Sequence, residues 1–132
     1  MVKQNIISKT SRILIITGSI LLFIMAMFHG SGIFYVNDLI NESNAEGFLK
    51  EIVPVLFAHP SIHLFGLAAL GIMSLYLKLE ARKILFLLTI LVLKDTTLAF
   101  IVGGLIPDFI LTAPIVCFSI ARFKINQNSI NN

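Results

Sequence analysis

Charge is scarce in this chain, tryptophan is absent, and cysteine occurs once. Each shortage excludes something. Only 13% of the 132 residues are charged, 57% are hydrophobic, and the mean hydropathy is +0.94. Soluble domains are about a quarter charged, so the balance points to lipid rather than water as the solvent. A single cysteine, Cys117, allows no intrachain disulfide and no CxxC motif. Within an apolar run it reads as a small core residue. Without tryptophan, an interfacial aromatic belt has to rest on Tyr35, Tyr76 and the eleven phenylalanines. The net charge of +3 and pI near 9.3 would suit a nucleic-acid partner. The basic residues are nevertheless split among short segments between apolar runs and form no patch that could track phosphates, so no nucleic-acid partner is expected. There is no HExxH or CxxCH motif, phosphate loop, lipidation box or clear internal repeat.

What the chain does have is long apolar runs. A spanning helix needs about 20 mostly apolar residues. Four such segments are expected, at 13–35, 52–77, 84–103 and 107–123. The break between the last two falls at Gly103–Asp108, "GGLIPD". Glycine suits the position past a helix end, and proline suits the first position of the next helix. An aspartate in that first turn favours the helix dipole. Ending the third span at Lys94-Asp95 instead would leave it too short to cross. The reading therefore is an all-α integral membrane protein, a single domain over 1–125 forming a four-transmembrane-helix bundle. A disordered polar tail is expected over 126–132, "NQNSINN".

Charge placement sets the expected orientation. Lys3, Lys9 and Arg12 precede the first span, Lys78, Arg82 and Lys83 lie between the second and third, and Arg122 and Lys124 follow the fourth. All fall on one side of a four-span chain. The other side carries Asp38, Glu42, Glu46, Glu51 and Asp108, with Lys50 as its one basic residue. The positive-inside rule then puts both termini in the cytoplasm (N-in/C-in) of a cell with a plasma or inner membrane of prokaryotic type. The N-terminal run is longer than a signal-peptide core, and no A-x-A-like cleavage site follows it, so an uncleaved first span is expected. The acidic outer connection "NDLINESNAEGF" is expected to be a loop with at most a short amphipathic turn.

The polar residues inside the spans are few. In "FAHPSIHLFG", His59 and His63 are four apart and share one helical face. With His29, Lys94 and Asp95 they are expected to fall in the outer half of the bundle and to form a pocket. The plain alternatives are an interfacial or capping role for His29, and hydrogen-bonded core histidines at 59 and 63. Pro60 disrupts the ladder one turn earlier and frees the Leu56 carbonyl, which a histidine N–H could reach. Lys94 and Asp95 project about 100° apart, so simple side-by-side pairing is not expected, and the plain alternative for Asp95 is a structural network with a histidine or with Lys94. Thr89, Thr96 and Gly103, and Asp108, Thr112 and Ser119, form stripes of the kind found at helix contacts in membranes.

Three classes of function use these residues. The first is a ligand or cofactor site. His59 and His63, with His29 or Asp95, could hold a divalent metal, and His29 with His59 or His63 could hold a haem. Neither cofactor is assigned. The second is proton or small-solute handling, or a membrane-embedded enzyme using a His–Asp pair as acid and base. The third is an accessory or immunity-type protein that binds a membrane partner or a second copy of itself with no chemistry. The leading expectation is a small multi-pass protein binding a ligand, cofactor or partner through the His/Asp pocket. In size and outline the chain is similar to many small bacterial membrane proteins, DoxX-like ones among them, a likeness that carries no residue over.

Overall fold

The computed structural model describes residues 7–77, 80–102 and 105–130, of which 102, 105–108 and 126–130 are described by backbone alone. Four helices make up nearly all of it: α1 (Lys9–Glu42), α2 (Gly47–Ser74), α3 (Ala81–Val102) and α4 (Leu105–Ile130). No strand occurs among the described residues. Three helices, α1, α2 and α3, are long and apolar enough to cross a membrane, each holding an 18-residue stretch with a mean hydropathy of 2.2, 1.7 and 2.1 respectively.

The helices outrun the expected spans. α1 begins at a Ser8 cap, whose Oγ accepts from the Ser11 amide at 3.1 Å. Its 34 residues make it about 50 Å long, against a hydrocarbon thickness of about 30 Å. Because no glycine or proline occurs from 33 to 46, the helix continues through Asp38 and Glu42. The outer loop expected there shrinks to 43–46. Ser43 closes the helix by donating to the Ile40 carbonyl at 2.6 Å, and the Lys50 ammonium reaches the Asn41 carbonyl at 2.8 Å. A cation there complements the negative end of the helix dipole. α3 and α4 meet on either side of Gly103, which lies outside the described residues. α4 starts two residues before the expected 107 and runs on to Ile130, so 126–130 are helical rather than a disordered tail. No glycine or proline interrupts 115–130, and Ile125, only 2% exposed, anchors that last stretch in the core.

The buried residues recur with one rhythm. The positions that set it are Ser11, Ile15, Gly18, Leu22 and Met25 on α1; Leu64, Leu67, Gly71 and Ser74 on α2; Ala81, Leu85, Leu88 and Val92 on α3; and Leu111, Pro114, Phe118, Ala121 and Ile125 on α4, while Ser19, Ala26 and Ala68 are buried beside Gly18, Met25 and Leu67. Steps of three and four alternate throughout, the 3.5-residue period of knobs-into-holes packing. Each helix packs on its neighbours in a ring, α1 on α2 and α4, and α3 on α4; α2 and α3 pack least closely.

Phe118 is the central wedge. Its ring is fully buried where a Cβ on Gly18 would come within 2.9 Å of it, and a Cβ on Gly71 within 3.4 Å. Two glycines thus make the notch that admits one large ring. At the same end, the Ser11 hydroxyl donates to the Ala121 carbonyl at 3.4 Å, and the Arg122 guanidinium lies 4.1 Å over the Phe86 ring. These contacts bring the start of α1, the start of α3 and the end of α4 together, and with them Lys9, Arg12, Arg82, Lys83, Arg122 and Lys124. Most of the buried core lies in this half, with Leu111 of α4 buried beyond it. Among the described residues, none in 27–63 or 93–101 is buried. The ring is closed at its basic end and open at the other.

Phe118→Ala is expected to cost about 3 kcal/mol or more, read as a lowered melting temperature in detergent, because the notch cannot collapse around the loss. Gly71→Ala should also destabilise, since a Cβ there collides with the Ser19 hydroxyl. Gly66→Ala should be neutral or slightly stabilising, because that position faces open space and alanine restricts the unfolded chain.

Candidate functional site

The seam rhythm continues past the apolar core, but with polar residues. On α3 the step after Val92 is Asp95, and on α1 the step after Met25 is His29. Both occupy positions that face the ring interior, in the half where the helices separate. They line a cavity of about 420 Å³ together with His59, Pro60 and His63 of α2 and with Lys94. Its remaining walls are Met25, Leu64, Leu98, Ala99 and Leu111. The structure thus brings His29, His59, His63, Lys94 and Asp95 to one cavity, between the two helices that pack least closely.

Within it, His63 Nε2 lies 3.0 Å from Asp95 Oδ2. Both atoms are buried, and neither has an aligned hydrogen bond, so the contact lies off the axis of the ring N–H. The other carboxylate oxygen, Oδ1, is 3.6 Å from the Lys94 ammonium. Asp95 thus has the network alternative, near both a histidine and Lys94, rather than simple side-by-side pairing. The Cα–Cβ directions do diverge, but the flexible four-carbon stem of lysine curls back over the carboxylate. Asp95 is therefore shared, with one oxygen toward α2 and the other toward its own helix.

His29 does something else. Its Nδ1 is 3.2 Å from the Ser61 hydroxyl, and its ring stacks on Phe57 at 4.6 Å between centroids. Phe57 in turn fits over Gly32, where a Cβ would come within 3.1 Å of the ring. One edge of His29 is thus spent fastening α1 to α2. Ser61 and Phe57 were not singled out from the sequence, although they are four apart on the α2 face opposite His59 and His63. His59 is exposed at the cavity edge. Neither His59 nor His63 bonds the Leu56 carbonyl that Pro60 frees.

The three-histidine metal set is not assembled. Among the described residues no group of three His, Cys, Asp or Glu side chains could hold a metal ion. Ser61 and Phe57 hold His29 from one side, and Asp95 holds His63 from the other. The hydroxyls of the α3 stripe are spent within their own helix. Thr89 and Thr96 donate to the carbonyls of Leu85 and Val92 one turn back, each at 2.8 Å, as residues of this type do inside apolar helices. Gly103 and the Asp108 side chain lie outside the described residues.

No family model, no curated protein and no solved structure matches this chain. Its site therefore has to be read from its own geometry. That geometry is an apolar chamber with one carboxylate, one ammonium and two imidazoles along its α2–α3 side. Such a chamber can hold an apolar body while fixing one polar group.

His63→Ala and Asp95→Ala should each destabilise the protein, because either leaves a buried polar partner without its contact. The double variant should cost less than the sum of the two, with a coupling of about 1–2 kcal/mol in a double-mutant cycle.

Proposed function

We propose that this is a four-span membrane protein, N-in/C-in, that binds a small amphiphilic ligand from the bilayer in the α2–α3 cavity. One observation carries the reading: a single cavity with apolar walls gathers five ionisable side chains from segments that are otherwise almost wholly apolar. Ionisable residues inside such helices are costly and are kept for a purpose by default. The membrane part rests on three helices of spanning length and on outward faces built from residues such as Phe23, Ile24, Ile62, Phe65, Leu87 and Ile90, all exposed. In water a surface of that kind would aggregate. The orientation rests on the basic residues gathered at one end. α4 is the fourth span on this reading, since its start lies beside the end of α3 and its far end carries Arg122 and Lys124.

A second reading is favoured by the His63–Asp95 contact, which is also the material of a proton relay or of an acid–base pair on a bound substrate. It uses the same cavity and adds a proton to what is bound. In the third reading, an accessory or immunity-type protein, the pocket is a by-product of partner binding.

The test is to purify the protein in mild detergent, extract it with organic solvent and analyse the extract by mass spectrometry. The visible spectrum and metal content are recorded on the same sample. A small molecule should co-purify and fall at least about tenfold in Leu98→Trp, which fills the cavity. Equal amounts in both proteins would contradict ligand binding in this cavity. Reporter fusions at the C-terminus should be active in the cytoplasm and silent outside; the opposite pattern would reject the orientation.

A further inference from the structure

We infer that the cavity selects a neutral amphiphile bearing a free hydroxyl, of the phenol or alcohol class, over its ether or carboxylate relatives. This rests on the ligand-binding reading above and names the ligand's chemistry.

The argument starts from the imidazole. A neutral histidine has one N–H donor and one lone-pair acceptor, and the partner of one nitrogen decides the role of the other. His63 Nε2 lies 3.0 Å from a carboxylate oxygen. With Asp95 ionised beside the Lys94 ammonium and His63 neutral, two lone pairs at that distance would repel, which assigns the ring proton to Nε2 even though the approach is off-axis. The same second-shell logic orients histidines at metal and catalytic sites. Nδ1 is left as an acceptor. It has no partner among the described residues, and the His63 side chain is 32% exposed.

The second group is Lys94. Its ammonium, on a side chain 59% exposed, also touches the Asp95 carboxylate. Lys94 and His63 therefore border the same carboxylate from two helices. Lysine and aspartate cancel in charge, so the corner of the cavity between His63 and Lys94 offers an acceptor and a donor with no net charge, while His59 stands exposed at the cavity edge. A single hydroxyl meets both: its O–H donates to His63 Nδ1, and its oxygen accepts from Lys94 Nζ. An ether can accept but leaves Nδ1 empty. A carboxylate cannot donate and faces Asp95. A cation faces Lys94.

Size and access agree with this. A cavity of about 420 Å³ is of the size that takes a ring with a short chain, and Met25, Leu98, Ala99 and Leu111 supply apolar walls for the body. The cavity is partly open and is bordered by the least closely packed seam, between α2 and α3. A ligand dissolved in the bilayer could enter there sideways, without crossing the closed basic end.

The experiment is calorimetric titration of wild-type protein in lipid nanodiscs with three probes of one body: para-pentylphenol, para-pentylanisole and para-pentylbenzoate. Each is corrected for partition into empty nanodiscs. The phenol should bind about tenfold or more tightly than the anisole, because a polar site built for a donor rejects the analogue that lacks it. The benzoate should be the weakest. In His63→Leu the phenol and the anisole should bind alike. Equal binding of phenol and anisole to the wild type would overturn the hydroxyl assignment while leaving a ligand site in place. Preference for the benzoate would overturn it in favour of an anion site. No binding of any probe would overturn both the assignment and the ligand-binding reading. The wild-type comparison decides the matter even where His63→Leu fails to fold.

Discussion

One contact holds the least closely packed seam of this protein together: an imidazole on α2 against a carboxylate on α3, 3.0 Å apart. Elsewhere the ring closes by shape. Ile15, Leu22, Leu85, Leu88 and Phe118 interlock at a 3.5-residue rhythm, and two glycines admit the one ring that fills the centre. Between α2 and α3 that kind of packing thins out, and what replaces it is electrostatic. In hydrocarbon an isolated aspartate near a helix centre costs about 3 kcal/mol. On the proposed membrane reading Asp95 would need both His63 and Lys94 for that reason, and the contact with His63 joins two loosely packed helices.

The division of the molecule into a closed and an open half follows from where each seam changes character. Towards the basic end every seam position is apolar or small, and the helices meet closely enough for the Ser11 hydroxyl to reach a backbone carbonyl of α4. Past Met25 and Val92 the seam carries His29 and Asp95, which cannot interlock as leucines do. The ring opens at that point, and a cavity forms. His29 fastens α1 to α2 through Ser61 and Phe57, while the α2–α3 seam stays the least closely packed. A cavity with apolar walls and a neutral polar corner thus arises from two substitutions of character on two seams.

The four helices and their order were legible in the sequence, because apolar runs and segregated charge are long-range signals that single residues do not blur. Helix ends were not. α1 ignores the polar character of Asn37, Asp38 and Asn41, because nothing in that stretch breaks a helix, and Ser43 supplies the cap. α4 likewise runs through a polar tail anchored by Ile125. Depth and helical phase put His59, His63 and Asp95 near one another, and the structure lines one cavity with them. The pairing within it was not legible. Whether Lys94 turns back to Asp95, and whether His29 faces the cavity or Ser61, depends on rotamers and on the α1–α2 approach permitted by Gly30 and Gly32. The suggested three-histidine metal set failed for the same reason: proximity in depth says nothing of which way each ring is turned.

The central claim is that His63 and Asp95 meet inside the bilayer with the ring proton on Nε2. Solid-state nitrogen NMR of histidine-labelled protein in lipid bilayers measures this directly, with through-space transfer to the carboxyl carbon of labelled aspartate. The expected result is one histidine with a protonated Nε2 and an unprotonated Nδ1, whose Nε2 transfers magnetisation to an aspartate carboxylate, with the signal lost in Asp95→Asn. A His63 that shows no transfer to any carboxylate, or that carries its proton on Nδ1, would contradict the account.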